Sequence, residues 1–132
     1  MNTYFNEITS KPIQYADGKV LYKIPSGAMC GNGDLGVVFD QDNTGLVIHI
    51  SKCDFWKFTP GAHNDGGIKA VGNIRIKNID LTEYNIKQYC DEGLLKCKFG
   101  DTEIEFFVAP QNILYFEIKS PVSTNTPIVS IE

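Results

Sequence analysis

The stretch Leu94–Lys119, LLKCKFGDTEIEFFVAPQNILYFEIK, decides the fold. It alternates with a period of two almost throughout. Leu95, Cys97 and Phe99 fall on one side of the chain, and Leu94, Lys96 and Lys98 on the other. Ile104, Phe106 and Val108 then oppose Glu103, Glu105 and Phe107, and Leu114, Phe116 and Ile118 line one face of the next run. Successive side chains on a strand point to opposite faces, so each run reads as a half-buried strand. Gly100-Asp101 is a two-residue hairpin signal, and PQN at 110–112 separates the second run from the third.

The same grammar extends outward in both directions. YNIKQYC alternates and is turned into LLKCKF by DEG. NIRIKNI sets Ile74 and Ile76 against Asn73, Arg75 and Lys77. LVIHIS sets Leu46, Ile48 and Ile50 against Val47, His49 and Ser51. LGVVFD at 35–40 is nearly all apolar, as in a strand covered on both faces, and QDNTG joins it to LVIHIS as a hairpin. KVLYKI follows a turn at Asp17-Gly18, and IVSIE follows STNTP. About eight or nine strands at roughly 8–12-residue spacing predict an all-β, antiparallel β-sandwich. No window keeps a 3.6-residue period, so no helix longer than about two turns is expected. Lys57–Gly72, with its glycines, Pro60, Asn64 and Asp65, reads as a long surface loop.

Bulk composition narrows the function classes. A chain of 132 residues with 42% hydrophobic residues suits a single domain, 1–132, with a real core. The net charge of −4, the scattered lysines and the lone Arg75 disfavour nucleic acid, whose phosphates need a clustered basic patch. Apolar runs such as Phe106–Ala109 are too short to span a bilayer, so no membrane partner is expected. The N-terminus has neither a basic start nor an apolar core segment, so no signal peptide is read and the cytoplasm is the expected compartment. Cys30, Cys53, Cys90 and Cys97 lack zinc-knuckle or redox spacing. Cys90 and Cys97 flank a turn, where a disulfide could face across a hairpin, but free thiols fit a cytosolic chain. The final strand runs straight into Glu132, which predicts a piece of something longer.

Motifs of familiar chemistry are weak. Residues 31–36 match G-x-G-x-x-G, but a hydrophobic β run follows where a dinucleotide site needs a helix. A tight turn is the better reading, with Gly31 and Gly33 at positive φ and Asn32 and Asp34 bonding the local backbone. Asp40, Asp42 and Asn43 lack the closing glutamate of a calcium loop and read as a hairpin turn. His49 and His63 form no metal-ligand spacing, so no metal and no cofactor are expected. Ser10, Ser26 and Ser51 have no nucleophile-elbow context. No spacing picks out a catalytic acid pair. Asp54-Phe55-Trp56 is the best local signal. Either Trp56 caps the core, or its ring forms a sugar platform whose flat apolar face stacks on pyranose C–H groups while Asp54 accepts hydroxyl hydrogen bonds.

GNGDLGVVFDQ followed by LVIHISKCDFWK resembles the N-terminal β-sandwich domain of glycoside hydrolases of the family 95 and family 65 kind, best known from α-L-fucosidases. The matching positions are Gly31, Asn32, Gly33, Leu35, Gly36, Ser51, Lys52, Asp54 and Trp56. GGIKAVGNIRI and YNIKQYCDEGLLKCKF resemble later segments, and the likeness spans roughly residues 20–120. Lys87 stands where the family often has arginine, and Cys53 where asparagine is common. The resemblance implies a supersandwich-like fold that is a fragment of a larger multidomain enzyme. Its partners would be a catalytic helical (α/α) barrel domain and a carbohydrate. The catalytic acids of such enzymes lie in the barrel, so no catalytic residue carries over to this chain. Asp54, Trp56 and His63 are the candidate substrate-binding residues. A stand-alone carbohydrate-binding module or a structural scaffold domain is the competing reading.

Overall fold

A computed structural model gives the architecture; the structure describes residues 2–5, 10–14, 20–25, 27–57, 67–121 and 126–132. In chain order the strands are β1 (Asn2–Phe5), β2 (Ser10–Gln14), β3 (Val20–Pro25), β4 (Met29–Gly31), β5 (Leu35–Asp42) and β6 (Gly45–Lys57). They continue with β7 (Gly67–Lys77), β8 (Tyr84–Tyr89), β9 (Leu94–Phe99), β10 (Thr102–Ala109), β11 (Ile113–Lys119) and β12 (Ile128–Ile131). No helix occurs among the described residues. The fold is all-β: two antiparallel five-stranded sheets pack face to face, ordered β1-β8-β9-β10-β11 and β12-β7-β6-β5-β4, and β2 and β3 form a separate hairpin.

The alternation read from the sequence fixes which side chains meet between the sheets. Leu95, Cys97, Phe99, Ile104 and Phe106 of the first sheet pack with Val37, Phe39, Leu46, Ile48, Ile74 and Ile76 of the second. Each such side chain contributes about 1.5–3 kcal/mol by leaving water. Phe39 meets Phe106 edge to face at 5.0 Å between centroids, so the two sheets touch through an aromatic pair. Phe106 also stacks on Phe116 at 5.2 Å, which carries the aromatic layer towards the β11 edge. The two-residue turn at Gly100-Asp101 is present, with Phe99 opposite Thr102 in register.

The structure departs from the sequence reading in three places. Among the described residues twelve strands stand where eight or nine are expected. The additional ones include β1, β2 and β4, which are short; β2 contains Pro12, and β4 has only three residues. Too few positions alternate in such segments to register as a period. Secondly, Gly67–Gly72 is not loop but the start of β7, paired with the far end of β6 through Lys57–Gly67 and Trp56–Ile68. Backbone pairing with a preceding strand imposes extension there despite small, flexible residues. Thirdly, the outer side of β5 is only partly covered, with Val38 half-buried and Asp40 buried. Residues 58–66 lie outside the described residues.

All four cysteines are free thiols. Cys97 faces the core and Cys90 lies exposed in the β8–β9 turn, so the pair does not face across the hairpin.

Candidate functional site

Gly31-Asn32-Gly33-Asp34 turns β4 into β5 at one end of the sandwich. Asn32 organises the turn. Its Oδ1 accepts from the amides of Asp34 at 3.0 Å and Leu35 at 2.9 Å, and its own amide donates to Leu35 O at 3.1 Å. Only Gly33 has positive φ, at 94°. Gly31, expected to share that conformation, is required for space instead: a Cβ there would stand 2.7 Å from Leu35 O. Asp34 was expected to bond the local backbone as a turn residue. It points across the molecule instead, accepting from Lys52 Nζ at 3.0 Å, Cys53 Sγ at 3.0 Å and Asn112 Nδ2 at 2.5 Å.

Lys52 and Cys53 are delivered by a large bulge in β6. Between the pairs Ser51–Ala70 and Trp56–Ile68, residues 52–55 stand opposite Lys69 alone. The surplus on one strand lifts the segment out of the ladder and re-aims its side chains, as bulges do. On its other side β6 still follows β5: Lys52 pairs with Leu35, and the Cys53 amide donates to Asp34 O at 2.8 Å. Lys52 therefore sits over the end of the core and reaches both Asp34 and Asp54, the latter at 2.6 Å. From the first sheet, the β10–β11 turn supplies Asn112, held in the left-handed region at φ 60°. Asn32 Nδ2 donates to Asn112 Oδ1 at 2.9 Å and to Ala109 O at 2.8 Å. The network thus spans both sheets.

Its electrostatics favour fixed charges. Hydrogen bonds from the Cys53 thiol, from Lys52 and from Asn112 lower the Asp34 pKa to about 2. The same Asp34 carboxylate pushes the Cys53 thiol up, so Cys53 is held as a thiol and is a poor nucleophile. Asp54 and then Asp34 raise Lys52, which stays an ammonium between two carboxylates.

Of the three candidate binding residues, Asp54 falls on this bulge and Trp56 closes it. Asp54 is exposed and bound to Lys52. Trp56 is 62% exposed, and its indole N–H donates to Cys53 O at 2.5 Å, which fixes the ring against its own strand. That exposure sets Trp56 apart from the core side chains, which are at most 8% exposed. His63 lies outside the described residues. His49 sits elsewhere, on the outer face of the second sheet, with Nδ1 2.7 Å from Asn73 Oδ1 and Nε2 3.4 Å from Asp40 Oδ2.

Asn32, Asp34, Lys52 and Asn112 were not singled out as site residues from the sequence. A signal existed for Asn112, because an asparagine closing a short turn tolerates φ > 0. Nothing in the sequence tied it to Asp34, 78 residues earlier.

A shallow depression of about 220 Å³ lies beside the turn, lined by Gly33, Asp34, Gly36, Ser51, Lys52 and Cys53. A larger one, about 420 Å³, lies away from this network over Leu94, Phe107 and Tyr115 on the outer face of the first sheet. The bulge and the Trp56 that closes it offer a flat aromatic face, carboxylate acceptors and an ammonium donor at one end of β6. That combination suits the recognition of a polyol. Compared with known proteins, the chain matches no family model, no curated protein and no solved structure.

Proposed function

We propose that this chain is the N-terminal accessory domain of a carbohydrate-active glycoside hydrolase of the α-L-fucosidase kind. In this reading it supports the catalytic helical barrel and borders the barrel's sugar pocket with Asp54 and Trp56. The observation that carries the reading is the exposure of Trp56. An indole that is 62% exposed and held by its own N–H presents an apolar face already oriented for a partner. A ring fixed before binding loses little freedom on contact, which favours affinity. The adjacent Asp54 carboxylate supplies acceptors for sugar hydroxyls, and Lys52 holds that carboxylate in place. Catalytic acids belong to the barrel in this reading, and the chain contributes binding and positioning.

Trp56 is the only tryptophan of this chain, so the intrinsic tryptophan fluorescence of the chain by itself reports on it alone. The test is titration of the chain, and of a parent protein that contains it, with α-L-fucosides and α-galactosides. A saturable change in emission that weakens in Asp54→Asn is the expected result. Emission indifferent to every sugar in both proteins would remove the carbohydrate reading.

A further inference from the structure

β11 is an edge strand, paired among the described residues with β10 alone. Two hairpins fix the direction of its backbone groups. Phe99 and Thr102 flank a two-residue turn and so form a hydrogen-bonded pair. Alternation along the ladder then directs the N–H and C=O groups of Ile104 and Phe106 towards β9, and those of Glu103, Glu105 and Phe107 towards β11. Their partners Lys119, Glu117 and Tyr115 bond back to β10. Leu114, Phe116 and Ile118 therefore turn their N–H and C=O groups to the open edge. The β10–β11 turn agrees: the Asn112 amide donates to Ala109 O at 3.1 Å and Asn112 has φ 60°. A three-residue loop of that kind leaves Ala109 and Ile113 as the bonded pair.

Among the described residues the edge lacks the usual protections. It has no proline, no register shift against β10, and its one lysine lies at its last position. Ile113 and Tyr115 are exposed on the outer face, Tyr115 by 50%, and Leu114, Phe116 and Ile118 are only half-buried on the inner face. Tyr115 stacks on Phe107 at 5.0 Å through one side of its ring.

We propose that β11 pairs with β11 of a second copy of this chain, antiparallel about Phe116, so that one sheet runs continuously through a two-fold axis. A two-fold interface must be self-complementary, and the sequence ILYFEIK satisfies this about its central residue. Leu114 faces Ile118 of the second copy, and the reverse pair repeats it. Phe116 faces its own counterpart and extends the Phe106–Phe116 stack into the second molecule. Tyr115 faces Glu117, where a phenol can donate to a carboxylate. Ile113 faces Lys119, whose methylene stem covers apolar surface while its ammonium stays in water. No like charges stand directly opposite one another, and Glu117 keeps its own Lys119 partner at 3.0 Å. The outward-turned groups of Leu114, Phe116 and Ile118 supply the new ladder.

Sedimentation equilibrium of the unaltered chain over a concentration series tests this, and a monomer–dimer equilibrium is expected. Tyr115→Glu sets the introduced carboxylate opposite Glu117 twice per dimer and should raise the dissociation constant about tenfold or more. The double variant Tyr115→Glu/Glu117→Lys replaces that repulsion with attraction in the same register and should restore the dimer. Amide exchange gives a readout that needs no variant. The amides of Leu114, Phe116 and Ile118 should slow as protein concentration rises, while those of Tyr115 and Glu117 stay slow throughout. A monomer at every concentration, a dimer indifferent to Tyr115→Glu, or a dimer that leaves those three amides unprotected overturns the proposal. In the last case another surface, or another strand, is the partner.

Discussion

Asn32 Nδ2 donates to Asn112 Oδ1 at 2.9 Å, joining the β4–β5 turn of one sheet to the β10–β11 turn of the other. The Asn32 side chain makes three further bonds, to Ala109 O and from the amides of Asp34 and Leu35. Asn32→Ala removes all of them and leaves partly buried groups unpaired. A loss of about 1–3 kcal/mol is expected, read by urea denaturation. Asn112→Gly keeps a residue that tolerates the left-handed conformation while removing its side-chain bonds, so it should lose stability too, though less. No loss in either variant would show that the bridge between the turns contributes nothing.

The Asp34 carboxylate gives the network a pH signature. Its pKa falls from the ordinary 3.8 to about 2 in the folded chain, through hydrogen bonds from Cys53, Lys52 and Asn112. A carboxyl whose folded value is depressed stabilises the fold fully above its unfolded value. That contribution is lost as pH falls from about 4 through about 2. Asp42, held low by Thr44 and Arg75, works in the same direction. The stability of the wild-type chain relative to Asp34→Asn should therefore be greatest near neutrality and shrink across that acid window. Because Asp34 is partly exposed, added salt should reduce the difference as well. Thermal melts of both proteins at several pH values decide it; a gap that stays constant from pH 6 to pH 2 rules out the charge as its source.

The glycines of G-N-G-D-L-G separate by cause. A Cβ on Gly31 would stand 2.7 Å from Leu35 O, a backbone atom that cannot move away cheaply. On Gly36 the nearest contact would be Ser51 Oγ at an ordinary 3.6 Å. Gly31→Ala should cost roughly 1–3 kcal/mol. Gly36→Ala should be neutral, or stabilising by about 0.4–1 kcal/mol through a less flexible unfolded chain. Chemical denaturation of the two variants checks the contrast, and equal effects would mean that the turn relaxes around Gly31.

How far the sequence spoke depended on the range of the interaction. The faces of β9, β10 and β11 were legible because a period of two is a local property that burial enforces: Leu95, Phe99, Ile104 and Phe106 are wholly buried. Asn32 as a turn organiser was legible for the same reason, since it bonds amides two and three residues ahead. The β6 bulge was not. It arises from a mismatch in length between residues 52–55 and their partner strand, and the glycine-rich pattern over 67–72 concealed that a partner strand existed. Asp34 reads as a local turn residue because its partners Lys52 and Cys53 arrive from another strand and Asn112 from a turn of the other sheet. Only the register of the two sheets reveals them.

Trp56 separates a binding role from a structural one. Core aromatics such as Phe106, which has no exposed surface, should lose about 3–5 kcal/mol on truncation to alanine. Trp56 is 62% exposed, and among the described residues its side-chain hydrogen bond is the one from its indole N–H to Cys53 O, so Trp56→Ala should change stability by no more than about 0.5 kcal/mol. If its face stacks on a sugar ring, the same substitution should weaken sugar affinity by about 1 kcal/mol, roughly fivefold in Kd, in a parent protein that carries the pocket. Asp54→Asn keeps an acceptor oxygen but gives up the charge that holds Lys52, and should weaken affinity less. Calorimetric titration replaces fluorescence for Trp56→Ala, which lacks the reporting indole. The two measurements can come apart in either direction. A variant that melts as early as a core truncation would make Trp56 part of the packing, whatever its exposure. A variant that melts normally and binds sugar as tightly as the wild type would leave the indole with no role in recognition.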